Sequence, residues 1–239
     1  VRYLLCTYIP AHLAQEKTRQ PIAGQVQGRW LNGSLLFSDV SGFTALSEHL
    51  ANQGQEGTEQ LTQAINRYFE RMLDILSRSG GVLLKFAGDA LLAYFPTYKD
   101  GEQARWAVRA ARRMMHAMED FAAIPTPLGT VNLKMKVGLS TGAFGALSVG
   151  NAQRMEYMIL GPTVARTLGA EGSAVAGQIV GDGATAANLP PAVCADLGNG
   201  FFVLQETPDV PLDDYEIRAE TQFSHAAEGW RFTPADMAA

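Results

Sequence analysis

Asp39 and Asp89 are the residues of this chain whose contexts most resemble chemistry. Asp39 lies in Leu35-Leu36-Phe37-Ser38-Asp39-Val40-Ser41-Gly42-Phe43-Thr44, and Asp89 in Leu84-Lys85-Phe86-Ala87-Gly88-Asp89-Ala90-Leu91-Leu92. Each follows or begins an apolar run that reads as a buried strand. A carboxylate at the end of such a strand is costly to bury unless something positive meets it. Two carboxylates side by side repel each other unless a cation sits between them. A site for a hard divalent cation is therefore the leading reading; Mg²⁺ takes oxygen ligands, often one or two carboxylates plus substrate phosphates.

The segment after Asp39 adds an anion site. Ser41-Gly42-Phe43-Thr44 is a small turn entering the helical pattern Ala45 to Leu50. Free backbone N–H groups and the helix dipole favour an anion there. Around Asp89 the order is apolar strand, Ala87-Gly88 turn, apolar strand, which reads as a hairpin with the aspartate at its tight end. The plainer account is a turn aspartate and a helix-capping hydroxyl. Each is common singly; the pair together is much harder to produce by chance.

The elements that must position these residues follow from periodicity. Trp30 to Val40 reads as a strand and Gly42 to Gln53 as a short helix, followed by a polar break at Gly54-Gln55-Glu56-Gly57. Thr58 to Arg78 is an amphipathic helix with Leu61, Ile65, Tyr68, Phe69, Met72, Ile75 and Leu76 on one face, stopped by Gly80-Gly81. Val82 to Phe95 is the hairpin. Gly101 to Met118 is a second long helix whose methionines read as core filling. Pro125-Thr126-Pro127 reads as a loop. Val131 to Leu139, Phe144 to Val149 and Tyr157 to Leu160 read as strands, Pro162 to Leu168 as a helix, and Phe201 to Leu204 as a last strand. The order implies a ferredoxin-like βαββαβ core with extra strands, an α+β fold whose antiparallel sheet carries helices on one face. Residues 1–28 read as an arm or linker, partly helical from Ala11 to Lys17; 29–206 as the domain; and 207–239 as a tail with Pro208, Pro211 and Pro234.

The motifs together resemble the catalytic domain of class III adenylyl/guanylyl cyclases. The matching stretches are Phe37 to Thr44, Lys85-Phe86-Ala87-Gly88-Asp89, Met135-Lys136-Val137-Gly138-Leu139-Ser140-Thr141-Gly142 and Glu156-Tyr157-Met158-Ile159-Leu160-Gly161. They stand in the family's order and cover about Gly33 to Leu204. Lys85 to Ala93 looks most like the soluble, bicarbonate-responsive branch. The resemblance implies conversion of ATP to cyclic AMP and pyrophosphate with two Mg²⁺ or Mn²⁺ ions. It implies Asp39 and Asp89 as the metal ligands, the Val40 carbonyl as a further one, and the Gly42, Phe43 and Thr44 amides on the phosphates. Lys136 matches a position that reaches the triphosphate, although alone it reads as a solvated lysine. Lys85 matches a base-contacting position, and a lysine donor suits adenine N1.

The chain departs from the pattern on the base- and ribose-reading side. Met158 stands where the family has Asp or Thr. Ala165, four residues after Gly161, stands for Asn, and Gly169, four further, for Arg. None offers a side-chain donor, and losing one well-aimed donor costs on the order of a hundredfold in rate. Arg166 is one turn from Gly169 and could stand in partly. The family's site forms between two domains. The expectation is therefore a metal-bearing half whose second cyclase domain, in a tandem or heterodimer, supplies the rest. Lys85 would then line a degenerate site of the kind that binds bicarbonate. A weakly active homodimer and a regulatory nucleotide-binding or dimerisation module remain alternatives. A diguanylate cyclase would need a Gly-Gly-Asp/Glu-Glu-Phe stretch, which the sequence lacks.

Composition narrows the field. With 19 Lys and Arg against 24 Asp and Glu, no basic stripe points to nucleic acid. No apolar run approaches bilayer length and no signal peptide opens the chain. Cys6 and Cys194 are too few for a disulfide framework. A reduced, cytoplasmic setting is the simplest expectation, and an opening Val1 in place of Met suggests a fragment of something longer.

Overall fold

Alternation along β1 (Gln27–Ser41) gives the strand two unlike faces. Leu36, Ser38 and Val40 point to one side, and Leu35, Phe37 and Asp39 to the other. The computed structural model describes residues 26–51, 53–97 and 102–205. In it β1 is followed by α1 (Phe43–Ala51), α2 (Gln55–Arg78), the hairpin β2 (Val82–Ala87) and β3 (Ala90–Pro96), and α3 (Gln103–Ala117). Then come a small hairpin β4 (Ile124–Thr126) and β5 (Gly129–Val131), the long β6 (Lys134–Gly150), β7 (Met155–Leu160) and α4 (Pro162–Ser173). β8 (Ile179–Asp182), a single helical turn α5 (Gly183–Ala186), β9 (Cys194–Asp196) and β10 (Phe201–Leu204) complete the described chain.

The main sheet runs β2-β3-β1-β6-β8-β10-β9, with β7 paired to the far end of β6. Its first four strands, in the order β2-β3-β1-β6, are the four strands of a ferredoxin-like core, every neighbour antiparallel. Among the described strands only β6 and β8 run parallel. The α+β class and the ferredoxin-like core expected from the sequence are observed, but the helices are not confined to one face, because α4 packs on the side opposite α1, α2 and α3.

α1, α2 and α3 cover the face that carries Leu36 and Val40. Their apolar stripes (Leu46 and Leu50; Tyr68, Met72, Ile75 and Leu76; Ala107, Ala111 and Met114) merge into one buried cluster with Met135, Val137 and Leu139 of β6. The other face carries Leu35, Leu84, Tyr94 and Phe144, and here α4 packs through Val164. α4 approaches β6 closely because Gly138 has no side chain. A Cβ there would lie 2.4 Å from the Thr167 carbonyl oxygen and 2.4 Å from the Glu171 nitrogen.

Several boundaries differ from those expected. β1 begins at Gln27, ahead of Trp30, while α2 begins at Gln55, inside the supposed polar break. The expected strand Val131–Leu139 is split: Val131 ends β5, and Lys134 to Leu139 run on through Phe144–Val149 in one continuous 17-residue strand. The residues between them, Ser140-Thr141-Gly142, look like a break in sequence but pair with Leu35, Ser34 and Gly33 of β1 without interruption. The predicted loop at Pro125 is the strand β4, in which Pro125 pairs with Thr130. α4 runs on to Ser173. The arm through residue 25, with its predicted helix from Ala11 to Lys17, and the tail from 206 lie outside the described residues.

Gly138→Ala tests the contact beneath α4. Two backbone atoms in the way make this an overpacking change, typically costing about 1–3 kcal/mol. Thermal or urea denaturation should show that loss.

Candidate active site

The registers of β1 bring the two aspartates to one end of the sheet. β1 and β3 pair from Gly33↔Pro96 to Ser38↔Leu91. The next residues along the two strands are Asp39 and Ala90, and Asp89 immediately precedes Ala90 in the two-residue turn Gly88-Asp89. Gly88 takes the left-handed conformation this turn needs, at φ 67°. Residues 50 apart in sequence thus become near neighbours across adjacent strands. Both are half-buried.

On its other edge Asp39 stands directly opposite Lys136 of β6. The Lys136 ammonium lies 4.0 Å from Asp39 Oδ2, beyond hydrogen-bond reach, and 2.7 Å from Glu171 Oε1 of α4. Lys136 is thus not the fully solvated lysine its local sequence suggests. Asp89 has no ion pair among the described residues.

Phe43, buried against the core, opens α1, and Thr44 beside it is exposed. Gly42 before them has φ 108°. A Cβ there would meet the Asn132 carbonyl oxygen at 2.8 Å, so only glycine fits the turn. The first helical bond runs from the Leu46 amide to the Gly42 carbonyl; the amides ahead of it have no acceptor within the helix. The helix start therefore offers donors beside the Asp39 strand end. Val40, buried, pairs with Met135.

Tyr68 lies beneath this corner, fully buried on α2 with its ring edge-on to Phe43 at 5.5 Å. Its hydroxyl sits beside that of Ser38, yet neither makes a hydrogen bond of normal geometry among the described residues. Burial pushes the phenol's pKa far up, and the negative charges of Asp89 and Asp39 add to this; the Ser38 hydroxyl opposes it. Both carboxylates therefore lie close enough to act on one phenol. The sequence presents Tyr68 only as a member of an apolar stripe.

Lys85 stands in the row Phe37–Leu92–Lys85 across β1, β3 and β2, exposed and without an ion pair among the described residues. The base-assisting position lies far off. Met158 pairs with Leu147, eleven residues along β6 from Lys136, about 35 Å of extended strand. Ala165 and Arg166 are exposed on α4. Arg166 approaches Asp182 at 3.9 Å. Asp182 itself is buried, accepting from the Ser140 hydroxyl at 2.6 Å and the Thr185 amide at 2.9 Å. Gly169 faces Phe201, whose ring would lie 3.0 Å from an added Cβ.

Two carboxylates at adjoining strand ends, one without an ion pair and one short of a close pair, form an oxygen-donor set that fits a hard cation. Among the described residues no cluster of three or more acidic, His or Cys side chains surrounds a point. A bound ion would need backbone, water or phosphate oxygens for the remaining positions, which suits Mg²⁺.

Comparison with known proteins identifies the family. Residues 28–201 match the family model described as the adenylate and guanylate cyclase catalytic domain, and the chain belongs to that family. It is 32% identical over 136 residues to mouse adenylate cyclase type 10, covering 56% of this chain and 8% of that protein. It is 34% identical over 131 residues to the Dictyostelium discoideum adenylate cyclase termed terminal-differentiation specific, covering 55% of this chain and 6% of that protein. The chain thus spans only a small part of these curated relatives. Among solved structures, the adenylyl cyclase CyaB from P. aeruginosa superposes with a TM-score of 0.62 at 26% identity, over 78% of this chain and 100% of that one. No helix among the described residues is long and apolar enough to cross a membrane.

Tyr68→Phe removes a buried hydroxyl that makes no hydrogen bond of normal geometry among the described residues, while keeping the ring against Phe43. Thermal stability should be unchanged or higher, because an unsatisfied buried polar group costs about 1–3 kcal/mol. A clear loss in a melting experiment would mean that the hydroxyl has a partner in the folded protein.

Proposed function

We propose that this domain converts ATP to cyclic AMP and pyrophosphate, and that it is the metal-bearing half of a site shared with a second cyclase domain. The observation that carries the reading is the split within one chain. The paired aspartates, the α1 turn and Lys136 gather at one end of β6, while Met158 is about 35 Å of strand away. One nucleotide cannot touch both ends of a single protomer.

In this reading Asp39, Asp89 and the Val40 carbonyl hold two Mg²⁺ or Mn²⁺ ions. When bound, the ions supply positive charge that activates the attacking oxygen and steadies the departing phosphates. The Gly42, Phe43 and Thr44 amides and Lys136 bind and orient the β- and γ-phosphates, and the purine edge is read by the partner domain. The ribose 3′-oxygen, losing its proton, forms a bond to the α-phosphorus as the bond to the β-phosphate oxygen breaks, and pyrophosphate leaves. The partner domain would supply the amide and guanidinium groups that Ala165 and Gly169 lack. Lys85 of a second, degenerate site would be free to meet a small anion such as bicarbonate. The cytoplasm, where ATP is abundant, is the setting this chemistry suits.

The same losses at Met158, Ala165 and Gly169 favour, as a second reading, a domain that binds nucleotide and pairs but turns over slowly or not at all. Calorimetry with Mn²⁺ and a non-hydrolysable ATP analogue, alongside a cyclic AMP assay, separates the two. Wild-type chain should bind the analogue only with metal, and Asp39→Ala or Asp89→Ala should abolish that binding. Alone, the chain should make cyclic AMP at least a hundredfold more slowly than with a cyclase domain bearing the missing Asn and Arg. Rapid turnover by this chain alone would overturn the shared-site reading, and metal-independent binding would overturn the metal assignment.

A further inference from the structure

Lys136 sits between two carboxylates and is bonded to only one of them. Its ammonium makes a short charge-assisted contact with Glu171 at 2.7 Å, while Asp39, directly opposite it across the strand pair, stays at 4.0 Å. The Glu171 side chain is 12% exposed against 36% for Asp39. The less hydrated acid holds the lysine.

Glu171 is also mechanically well placed. Its backbone nitrogen lies against Gly138, where an added Cβ would come within 2.4 Å, and Gly138 is two residues from Lys136 on the same face of β6. The Thr163 hydroxyl, donating at 2.6 Å to the Ala143 carbonyl, ties the first turn of α4 to β6, and the Thr167 hydroxyl donates at 2.8 Å to the Thr163 carbonyl one turn back within the helix. The helix therefore delivers the carboxylate to a defined spot beside the ammonium.

We propose that Glu171 is a positioning residue: it keeps the Lys136 ammonium from closing onto Asp39, leaving that carboxylate open to a divalent cation and the ammonium directed at the nucleotide's phosphates. The inference rests on the metal-bearing reading above. Without Glu171, the acid left within ion-pair reach of Lys136 among the described residues is Asp39, and a protein ammonium would compete there with the metal ion. Glu171 also links α4, with its Ala165 and Gly169 positions, to the aspartate end of the same chain.

A double-mutant cycle read by metal binding tests this. The purified chain is titrated calorimetrically with Mn²⁺ alone, for wild type, Glu171→Gln, Lys136→Met and the double variant, with a thermal melt of each to confirm folding. Glu171→Gln should weaken Mn²⁺ binding by roughly tenfold or more, in the range typical of residues that orient metal ligands. Lys136→Met should not weaken it. In the Lys136→Met background Glu171→Gln should have no further effect, because its influence acts through the ammonium. If Glu171→Gln fails to fold, Glu171→Asp, which keeps the charge on a shorter arm, is expected to weaken binding in the same direction. Unchanged affinity in Glu171→Gln, or an equal loss in the Lys136→Met background, overturns the inference and leaves Glu171 a helix-docking residue. Failure of wild type to bind Mn²⁺ overturns the metal reading itself, and this inference with it.

Discussion

Everything at the candidate site depends on the register of β1 between its two neighbours. β1 meets β6 so that Asp39 faces Lys136, and meets β3 so that Asp39 falls beside the Gly88-Asp89 turn. A slip of one residue on either side would send Asp39 to the opposite face of the sheet, into the layer occupied by Leu36 and Val40. The register is strongly specified because both faces are spoken for. Leu36 and Val40 must join the helix-covered cluster, and Leu35 must meet Tyr94 and Phe144 on the other side. The position of a half-buried carboxylate is thus set by the packing of its apolar neighbours.

The same logic governs the loop-like parts of the site. Gly42 and Gly88 hold backbone conformations unfavourable to other residues, and each lies next to a residue with a proposed chemical role. Phe43 anchors the start of α1 in the core through Tyr68, so the exposed amides at that helix start are carried by a buried ring. Among the described residues this corner is built from strand ends, a two-residue turn and a helix start. In the function proposed above, that suits the pre-orientation of a charged, flexible triphosphate.

Much of this was legible in the sequence. The aspartate contexts, the α2 stripe, the β2–β3 hairpin and the ferredoxin-like order carry strong local signals, because strand alternation and helical spacing are short-range patterns. What escaped depends on distant partners. Ser140-Thr141-Gly142 reads as a break in β6 until Gly138 and Gly142 are recognised as sites where α4 comes close: a Cβ at Gly142 would lie 2.8 Å from the Thr163 hydroxyl. Pro125 reads as a loop residue but sits in a short isolated ladder, where proline is tolerated at an edge. β8 and β9 are four and three residues long, too short for periodicity to register. Tyr68 and Glu171 look like a stripe member and a surface acid; the neighbours that give them meaning, Phe43 and Ser38 for one and Lys136 and Gly138 for the other, lie on other elements.

The contact between Gly169 and Phe201 bears on how this chain can change over generations. An arginine arriving at position 169 would meet the Phe201 ring 3.0 Å from its first side-chain carbon, so gaining the guanidinium also requires that aromatic neighbour to shift by a few tenths of an ångström. A lineage in which a second domain already supplies the guanidinium would feel little pressure to make both changes. Dependence on a companion would then be self-reinforcing, a ratchet whose pawl is a phenylalanine.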